Sequence, residues 1–339
     1  MLKHITRRTA LFALRALRAL RALCASCTLA TLGLAGAAQA QDKFPGKPVR
    51  IVVPFVAGSQ VDLVGREMAR KLQEIWGQTV VVENRVGAGG TIGSRAVAMA
   101  EPDGHTLLVT SASHAINQTL YKKLPYDVLR DFVGVSFATS VPNVLVVAPS
   151  LGVKTVSELL AMVRAKPGQL NFASAGVGSG THFNGEMFKA MAKLDIVHVP
   201  YKGTGDALVD TAAGRAAYYW SPLGLTLPFI KDGKLVPLAV STAQRAPLMP
   251  ELPVVSDFVP GVVYDHWYGM MAPAKTPRPV VEQISRDVNR VLRMPDVVKL
   301  LAEQGVVPAP NTPAEFDKFI ASEVERLGAV VKAAGVSVE

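Results

Sequence analysis

The sequence predicts an α/β protein of two domains, and three observations carry that reading. Short apolar runs alternate with amphipathic stretches along almost the whole chain. Beyond residue 40, roughly 300 residues remain, more than one ordinary core of ~100–200 residues absorbs. Small-residue turns sit where a strand hands over to a helix, which is the punctuation of βα units with mostly parallel sheets flanked by helices.

The first 40 residues stand apart. They carry Lys3, Arg7, Arg8, Arg15, Arg18 and Arg21, no acidic residue, and an apolar stretch Leu23–Ala38 that closes on Ala38-Gln39-Ala40. This is the order of a secretory signal, cleaved after Ala40. Its 16 apolar-region residues fall short of the ~20 that span a membrane. Thr6-Arg7-Arg8-Thr9 resembles a twin-arginine motif, but Ala-Leu-Arg recurs from 13, 16 and 19 as a repeat in a basic leader would, so Sec and Tat both stay open. Both cysteines, Cys24 and Cys27, lie inside the segment, leaving a thiol-free remainder without disulfides or cysteine-ligated metal. The segment also holds six of the 36 Lys and Arg and none of the 27 Asp and Glu, so the formal charge falls from +9 to +3 when it leaves. That removes the basic excess a nucleic-acid or membrane-surface role would need.

Val49–Phe55 reads as a buried strand. Val61, Val64, Met68, Leu72 and Ile75 then recur at helical spacing, with Asp62, Arg66 and Arg70 on the opposite face. A strand at Thr79–Glu83, a helix near Ile92–Ala100 and a strand at Thr106–Thr110 complete a first unit. The pattern resumes after Val141-Pro142-Asn143 with a strand Val144–Ala148 and a helix opened by Thr155-x-x-Glu158, a capping box. Strands near Leu170–Ser174, Ile196–Pro200 and Leu235–Ser241 alternate with helical stretches at 181–193, 204–213 and 223–231. A strand at Asp265–Ala272 and helices at 278–293 and 313–334, the last begun by Thr312-Pro313, close the chain. No Gly/Ser linker separates the units, so short crossing strands should join them and one domain is expected to be discontinuous.

Three turns are candidates for ligand contact: Phe55-Val56-Ala57-Gly58-Ser59, Thr110-Ser111-Ala112-Ser113-His114 and Ser174 through His182. Ligands in open α/β sheets bind at the carboxyl ends of strands, where helix N-termini favour an anion. A carboxylate suits the first and third turns; taken singly, each also reads as an ordinary βα turn. Enzyme fingerprints fail. Gly176-Val177-Gly178-Ser179-Gly180 matches neither G-x-G-x-x-G nor G-x-S-x-G, the last glycine of Gly87-Ala88-Gly89-Gly90-Thr91-Ile92-Gly93 falls one position late, and no Walker lysine is present. No cofactor is expected. His105, His114, His182, His198 and His266 show no compact metal spacing, and only His114 and His182 fall in candidate turns.

Pro48-Val49-Arg50-Ile51-Val52-Val53-Pro54-Phe55, Val81-Val82-Glu83-Asn84-Arg85 with the glycines that follow, Tyr121-Lys122-Lys123-Leu124-Pro125-Tyr126-Asp127, His198-Val199-Pro200-Tyr201-Lys202-Gly203 and Trp267-Tyr268-Gly269-Met270-Met271-Ala272-Pro273 occur in consistent order. Together they resemble the extracytoplasmic solute receptors of the tripartite tricarboxylate transporter family, the TctC or Bug proteins. The resemblance implies a periplasmic binding protein fold: two α/β domains around a ligand cleft, here 41–142 plus 261–339 against 143–260. It implies a monomer that captures a small carboxylate and serves membrane permease subunits, without catalysis. By motif position it implies that Phe55, Val56, Ala57, Ser59, Ser113, His114 and Asn117 face Ser174, Gly178, Ser179, His182 and Tyr201 across the cleft.

Departures bear on specificity. Val56-Ala57-Gly58-Ser59-Gln60-Val61-Asp62 replaces a Pro-Gly-Gly turn common in relatives, keeping one glycine and the acid. Ala217-Tyr218-Tyr219-Trp220-Ser221 lacks two acids that relatives carry, which argues against a ligand ammonium; Ser221 joins the candidate contacts, and an aromatic acid stacking on this run competes with plain core packing. The expected ligand is a non-amino mono- or dicarboxylate, aromatic acids included. Alternatives are a ligand-sensing receptor for a signalling partner and, behind it, a secreted hydrolase.

Overall fold

A computed structural model describes residues 44–339 except 334, 336 and 339. The expected signal over residues 1–40 and its expected cleavage after Ala40 lie outside the described residues. No described helix is long and apolar enough to cross a membrane.

The first block runs β1 (Val49–Val53), α1 (Gln60–Trp76), β2 (Val80–Asn84), α2 (Thr91–Ala98), β3 (Thr106–Ser111) and α3 (Ser113–Leu120). Strand β1 pairs in parallel with β2 and β3, as the alternation requires of βαβ units. Helix α1 ends on Gly77 in the left-handed conformation, whose N–H caps the Gln73 carbonyl. A long strand β4 (Phe132–Val147) follows, then α4 (Val156–Arg164), β5 (Asn171–Ser174), α5 (Gly180–Ala192), β6 (Val197–Pro200), α6 (Thr204–Ala212), β7 (Tyr218–Pro222), α7 (Leu223–Lys231) and β8 (Val236–Val240). The chain closes with β9 (Asp265–Pro273), α8 (Arg278–Val291), α9 (Pro295–Glu303), β10 (Val307–Pro308) and α10 (Pro313–Ala333).

Strand order is β2-β1-β3-β9-β4-β7-β5-β6, with β8 and β10 both pairing on β4. The parallel strands form two blocks, and the connection between them is antiparallel. Strand β9 pairs with both β3 and β4, and β4 pairs onward with β7 and β8. The crossing strands are long rather than short, 16 residues in β4 and nine in β9. Within β4 the partner changes at one step: Pro142 pairs with Asp265 of β9, while Asn143 pairs with Pro222 of β7. The first half of β4, with α3 and α9, is absent from the periodicity reading. In β4 both faces are largely buried, so its sequence lacks the alternation of a half-exposed strand.

Thr155 and Glu158 make the anticipated capping box at α4, each side chain accepting the other's backbone N–H at 3.2 Å. Helix α10 has the same arrangement, the Thr312 N–H donating to Glu315 Oε2 at 2.8 Å. Its Phe316 seats over Gly134 and Gly269, where an added Cβ would come within 2.9 and 2.3 Å of the ring. The helix therefore lies flat across β4 and β9, and Trp267 Nε1 donates to the buried Glu323 at 2.9 Å. The aromatic run 218–220 is core: Tyr218 stacks on Phe172 at 5.3 Å, Trp220 meets Phe188 edge-on, and Tyr219 packs into the opposite layer. Successive side chains of this strand enter opposite layers, and both layers are buried.

Candidate functional site

The first turn leaves β1 at Pro54 and enters α1 at Gln60. Asp62, placed by periodicity on the outer face, is 1% exposed and turns back instead. Its carboxylate accepts the Gly58 N–H at 2.9 Å, Arg66 Nε at 2.9 Å and Asn84 Nδ2 at 2.8 Å. Burial alone would raise its pKa, but these donors outweigh it and hold the carboxyl below the ordinary range. Because Asp62 ties the turn, Ser59 is not spent on capping: its hydroxyl makes no cap bond and is buried without a partner.

Ser179 occupies the matching position ahead of α5 and behaves oppositely. It accepts the His182 N–H at 3.2 Å and donates to the Gly176 carbonyl at 2.6 Å. The glycine turn after β2 supplies a third wall. Gly87, Ala88, Gly89 and Gly90 all have positive φ, including +46° at Ala88, and Asn117 Nδ2 holds the Gly89 carbonyl at 3.0 Å. Gly89 lies against Gly178, so closely that a Cβ on Gly89 would sit 2.8 Å from the Gly178 Cα.

These turns enclose a cavity of about 650 Å³, within the range of small-molecule sites. Helices α1, α2, α5 and α6 all begin on its wall, through Ser59–Val61, Gly90, Ser179–Thr181 and Lys202–Thr204. The first amide groups of a helix lack intrahelical acceptors and carry its positive end. No aspartate or glutamate lines the cavity among the described residues, and the one lining residue with a formal charge is Lys202. Three lining residues carry buried polar atoms without partners: Ser59 Oγ, Gln60 Oε1 and both ring nitrogens of His266. His266 is 6% exposed, and burial lowers its pKa to about 4, so it meets the cavity as a neutral imidazole.

Of the residues singled out from the sequence, Phe55, Val56, Ser59, Ser179 and Tyr201 line this cavity. Ala57, Ser113, His114, Asn117, Ser174, Gly178, His182 and Ser221 do not. Ala57 points to solvent. The segment after β3 is helix rather than loop, which turns His114 inward against Tyr126 and Phe132, at 5.5 and 4.7 Å, with Nδ1 3.2 Å from Ser94 Oγ. Ser113 pairs with Ser111 at 2.7 Å, and Ser111 is the one that reaches the wall. Asn117 acts through Gly89. Ser174 bonds His198 at 2.6 Å, and His182 Nδ1 accepts the Gly178 N–H at 3.3 Å, so both brace the third turn from outside. Gly178 forms the seam with Gly89, and Ser221 accepts from Thr226 inside the core.

Sequence reasoning missed Gln60, the turn Gly87–Gly90, Thr204, His266 and Tyr268. The glycine cluster was a usable signal, set aside because it fails a dinucleotide pattern. Nothing local marks His266, which reaches the wall from β9, far along the chain.

A curled mixed sheet flanked by helices, with a cavity at converging helix N-termini, defines the class of periplasmic solute-binding proteins of two-domain fold. The chain belongs to the tripartite tricarboxylate transporter family receptors, TctC, whose family model matches residues 64–336. It is 37% identical over 301 residues to Protein BugT of Bordetella pertussis, covering 88% of this chain and 92% of that protein. Among solved structures it is similar to Rpa4515 of R. palustris with adipate, at 34% identity and TM-score 0.83, covering 87% of this chain and 99% of that one. It is also similar to MatC of Rhodopseudomonas palustris with bound malate, at 32% identity and TM-score 0.81, covering 85% and 100%. Proteins of this family are solute receptors and not enzymes.

Proposed function

We propose that this protein captures a small organic carboxylate without an ammonium group, a mono- or dicarboxylate, and delivers it to the membrane permease subunits of a tripartite tricarboxylate-type transporter. The observation that carries the reading is the charge of the cavity: helix N-termini and Lys202 on its wall, and no carboxylate among the described lining residues. An anion gains there from the helix dipoles and unpaired amides. An amino acid would bring an ammonium group with no acidic partner, a costly burial. The neighbours with adipate and with malate support the ligand class. Ser59, Gln60 and His266 supply polar atoms that have no other partner.

The protein is read as exported, with a signal over residues 1–40 cleaved after Ala40, and as a monomer. The lobes are assigned to 41–142 plus 261–339 and to 143–260; the change of β4 partner between Pro142 and Asn143 supports that boundary. Calorimetry against a panel of mono- and dicarboxylates, aromatic acids, amino acids and sugars tests the ligand. Saturable binding of a carboxylate is expected, and tight binding of only an amino acid or a sugar would overturn the reading. Deleting the gene and measuring uptake of the bound compound tests the permease role, and unchanged uptake would refute it.

A further inference from the structure

Outside the cavity lining, three side chains with metal-ligating atoms converge. His182 and Glu186 are four residues apart on α5 and share one face of it. His198 meets them from β6, its ring 4.2 Å from that of His182. One ligating atom from each of the three lies within 4.8 Å of the others. We propose that His182, Glu186 and His198 form a binding site for a transition metal ion of the Zn²⁺ type, held by two imidazole nitrogens and one carboxylate oxygen.

The donor set chooses the ion. Two imidazoles and a carboxylate suit Zn²⁺, Co²⁺ or Ni²⁺, whereas Mg²⁺ and Ca²⁺ prefer oxygen throughout. Bonds of about 2.0–2.2 Å to a tetrahedral ion set donors about 3.4 Å apart. The present spacing thus closes by side-chain rotation, for which the partly exposed Glu186 has the freedom. Burial raises the Glu186 pKa, against Lys189, whose ammonium stands 3.6 Å away and is the group a metal would displace.

The surrounding bonds fit the same use. Ser174 Oγ lies 2.6 Å from His198 Nε2 and orients that ring. His182 has a different consequence. Its Nδ1 accepts the Gly178 N–H at 3.3 Å. Coordination through Nδ1 takes that lone pair, and coordination through Nε2 puts the ring proton on Nδ1. Either way the Gly178 amide loses its acceptor. Gly178 lies between Val177 and Ser179, both on the cavity wall, so occupancy of the metal site reaches the ligand turn. The site stands independently of the carboxylate assignment.

Untagged protein stripped with chelator and titrated with Co²⁺ tests it. One equivalent is expected to bind with the visible bands of a four- or five-coordinate ion, to be displaced by Zn²⁺, and to shift the Gly178 amide resonance. Glu186→Gln should abolish the bands and weaken binding by about tenfold or more; His198→Gln should do likewise, and His105→Gln should not. Circular dichroism of each variant checks the fold. Absence of bands at millimolar Co²⁺, or equal binding by the wild type, Glu186→Gln and His198→Gln, would overturn the proposal.

Discussion

Replacing Gly89 by alanine tests whether the seam between the two glycine turns sets ligand affinity. Gly89 has φ +61°, and its added Cβ would lie 2.8 Å from Gly178 Cα and 3.0 Å from the Val177 carbonyl oxygen. The left-handed conformation costs a non-glycine residue about 1–2 kcal/mol. The contact is a separate term. Carbon atoms pack at about 3.5–4.0 Å, so the turns must part by about 0.5–1 Å, and the obstructing atoms are backbone that cannot rotate aside. Overpacking of this kind costs about 1–3 kcal/mol. Parting the turns relieves it, so it should fall on the ligand-bound state and weaken binding about tenfold, taking 1.4 kcal/mol per decade. Gly152→Ala isolates the conformational term, because Gly152 has φ +68° with nothing within 4 Å of an added Cβ. Calorimetry with the carboxylate bound by the wild type, beside urea unfolding, reads both terms. The two variants should lose similar stability, and only Gly89→Ala should lose affinity. Unchanged affinity in Gly89→Ala, or equal losses in both, would refute the idea that the seam closes on the ligand.

Three further outcomes are expected. His266→Phe should reduce carboxylate affinity about tenfold while leaving stability equal or higher, since it removes two buried, unpartnered nitrogens whose desolvation costs about 1–3 kcal/mol; a fall in stability with affinity intact would show the ring to be structural. His114→Phe should flatten the acid side of the stability profile. Folded His114 is held to about 3 by burial against an ordinary 6.5, so the unfolded chain binds the extra proton between these values and stability falls as pH drops below 6.5. At about pH 5.5 that loss is about 1.4 kcal/mol, and urea midpoints at pH 7.5 and 5.5 should show it missing from the variant; an unchanged slope would rule it out. Asp62→Ala should lower stability at neutral pH by about 3 kcal/mol, as it strands the donors of Gly58, Arg66 and Asn84. The Asp62 contribution is present above the unfolded carboxyl pKa and is lost as pH falls through the lower folded one, so wild type and variant should converge in acid. Equal urea midpoints at neutral pH would count against it.

How much of the fold was legible depended on local pattern. Strands β1 and β3 announce themselves as short continuous apolar runs and helix α1 by its helical apolar spacing. The first half of β4 does not, since Gly134, Ser136, Thr139 and Ser140 interrupt its apolar run, and only its pairing with β9 under α10 makes it a strand. Ser59 and Ser179 illustrate the same limit within the site. Both read as serine at a helix N-terminus, yet Ser179 caps its helix and the Ser59 hydroxyl makes no cap bond. The difference lies in the residue three places on: Asp62 gathers the Gly58 N–H, Arg66 and Asn84 on its carboxylate, whereas His182 accepts only the Gly178 N–H and gives its own N–H to Ser179. His114 and His182 carried the right chemistry for ligand contact and were turned away from it by the helices in which they sit.

By itself the sequence determined the alternation of strands and helices, the small-residue turns at strand ends, and the ordered segments that mark a TctC receptor, since these depend on neighbours along the chain. Only the tertiary structure decided which turns meet. The cavity joins residues from Pro54 to Val338 through a sheet whose order departs from chain order, and its wall of helix N-termini, the Gly89–Gly178 seam and His266 arise from that crossing. Close approach between distant segments leaves no periodic mark in a sequence, because each segment must satisfy its own local geometry before it encounters the other.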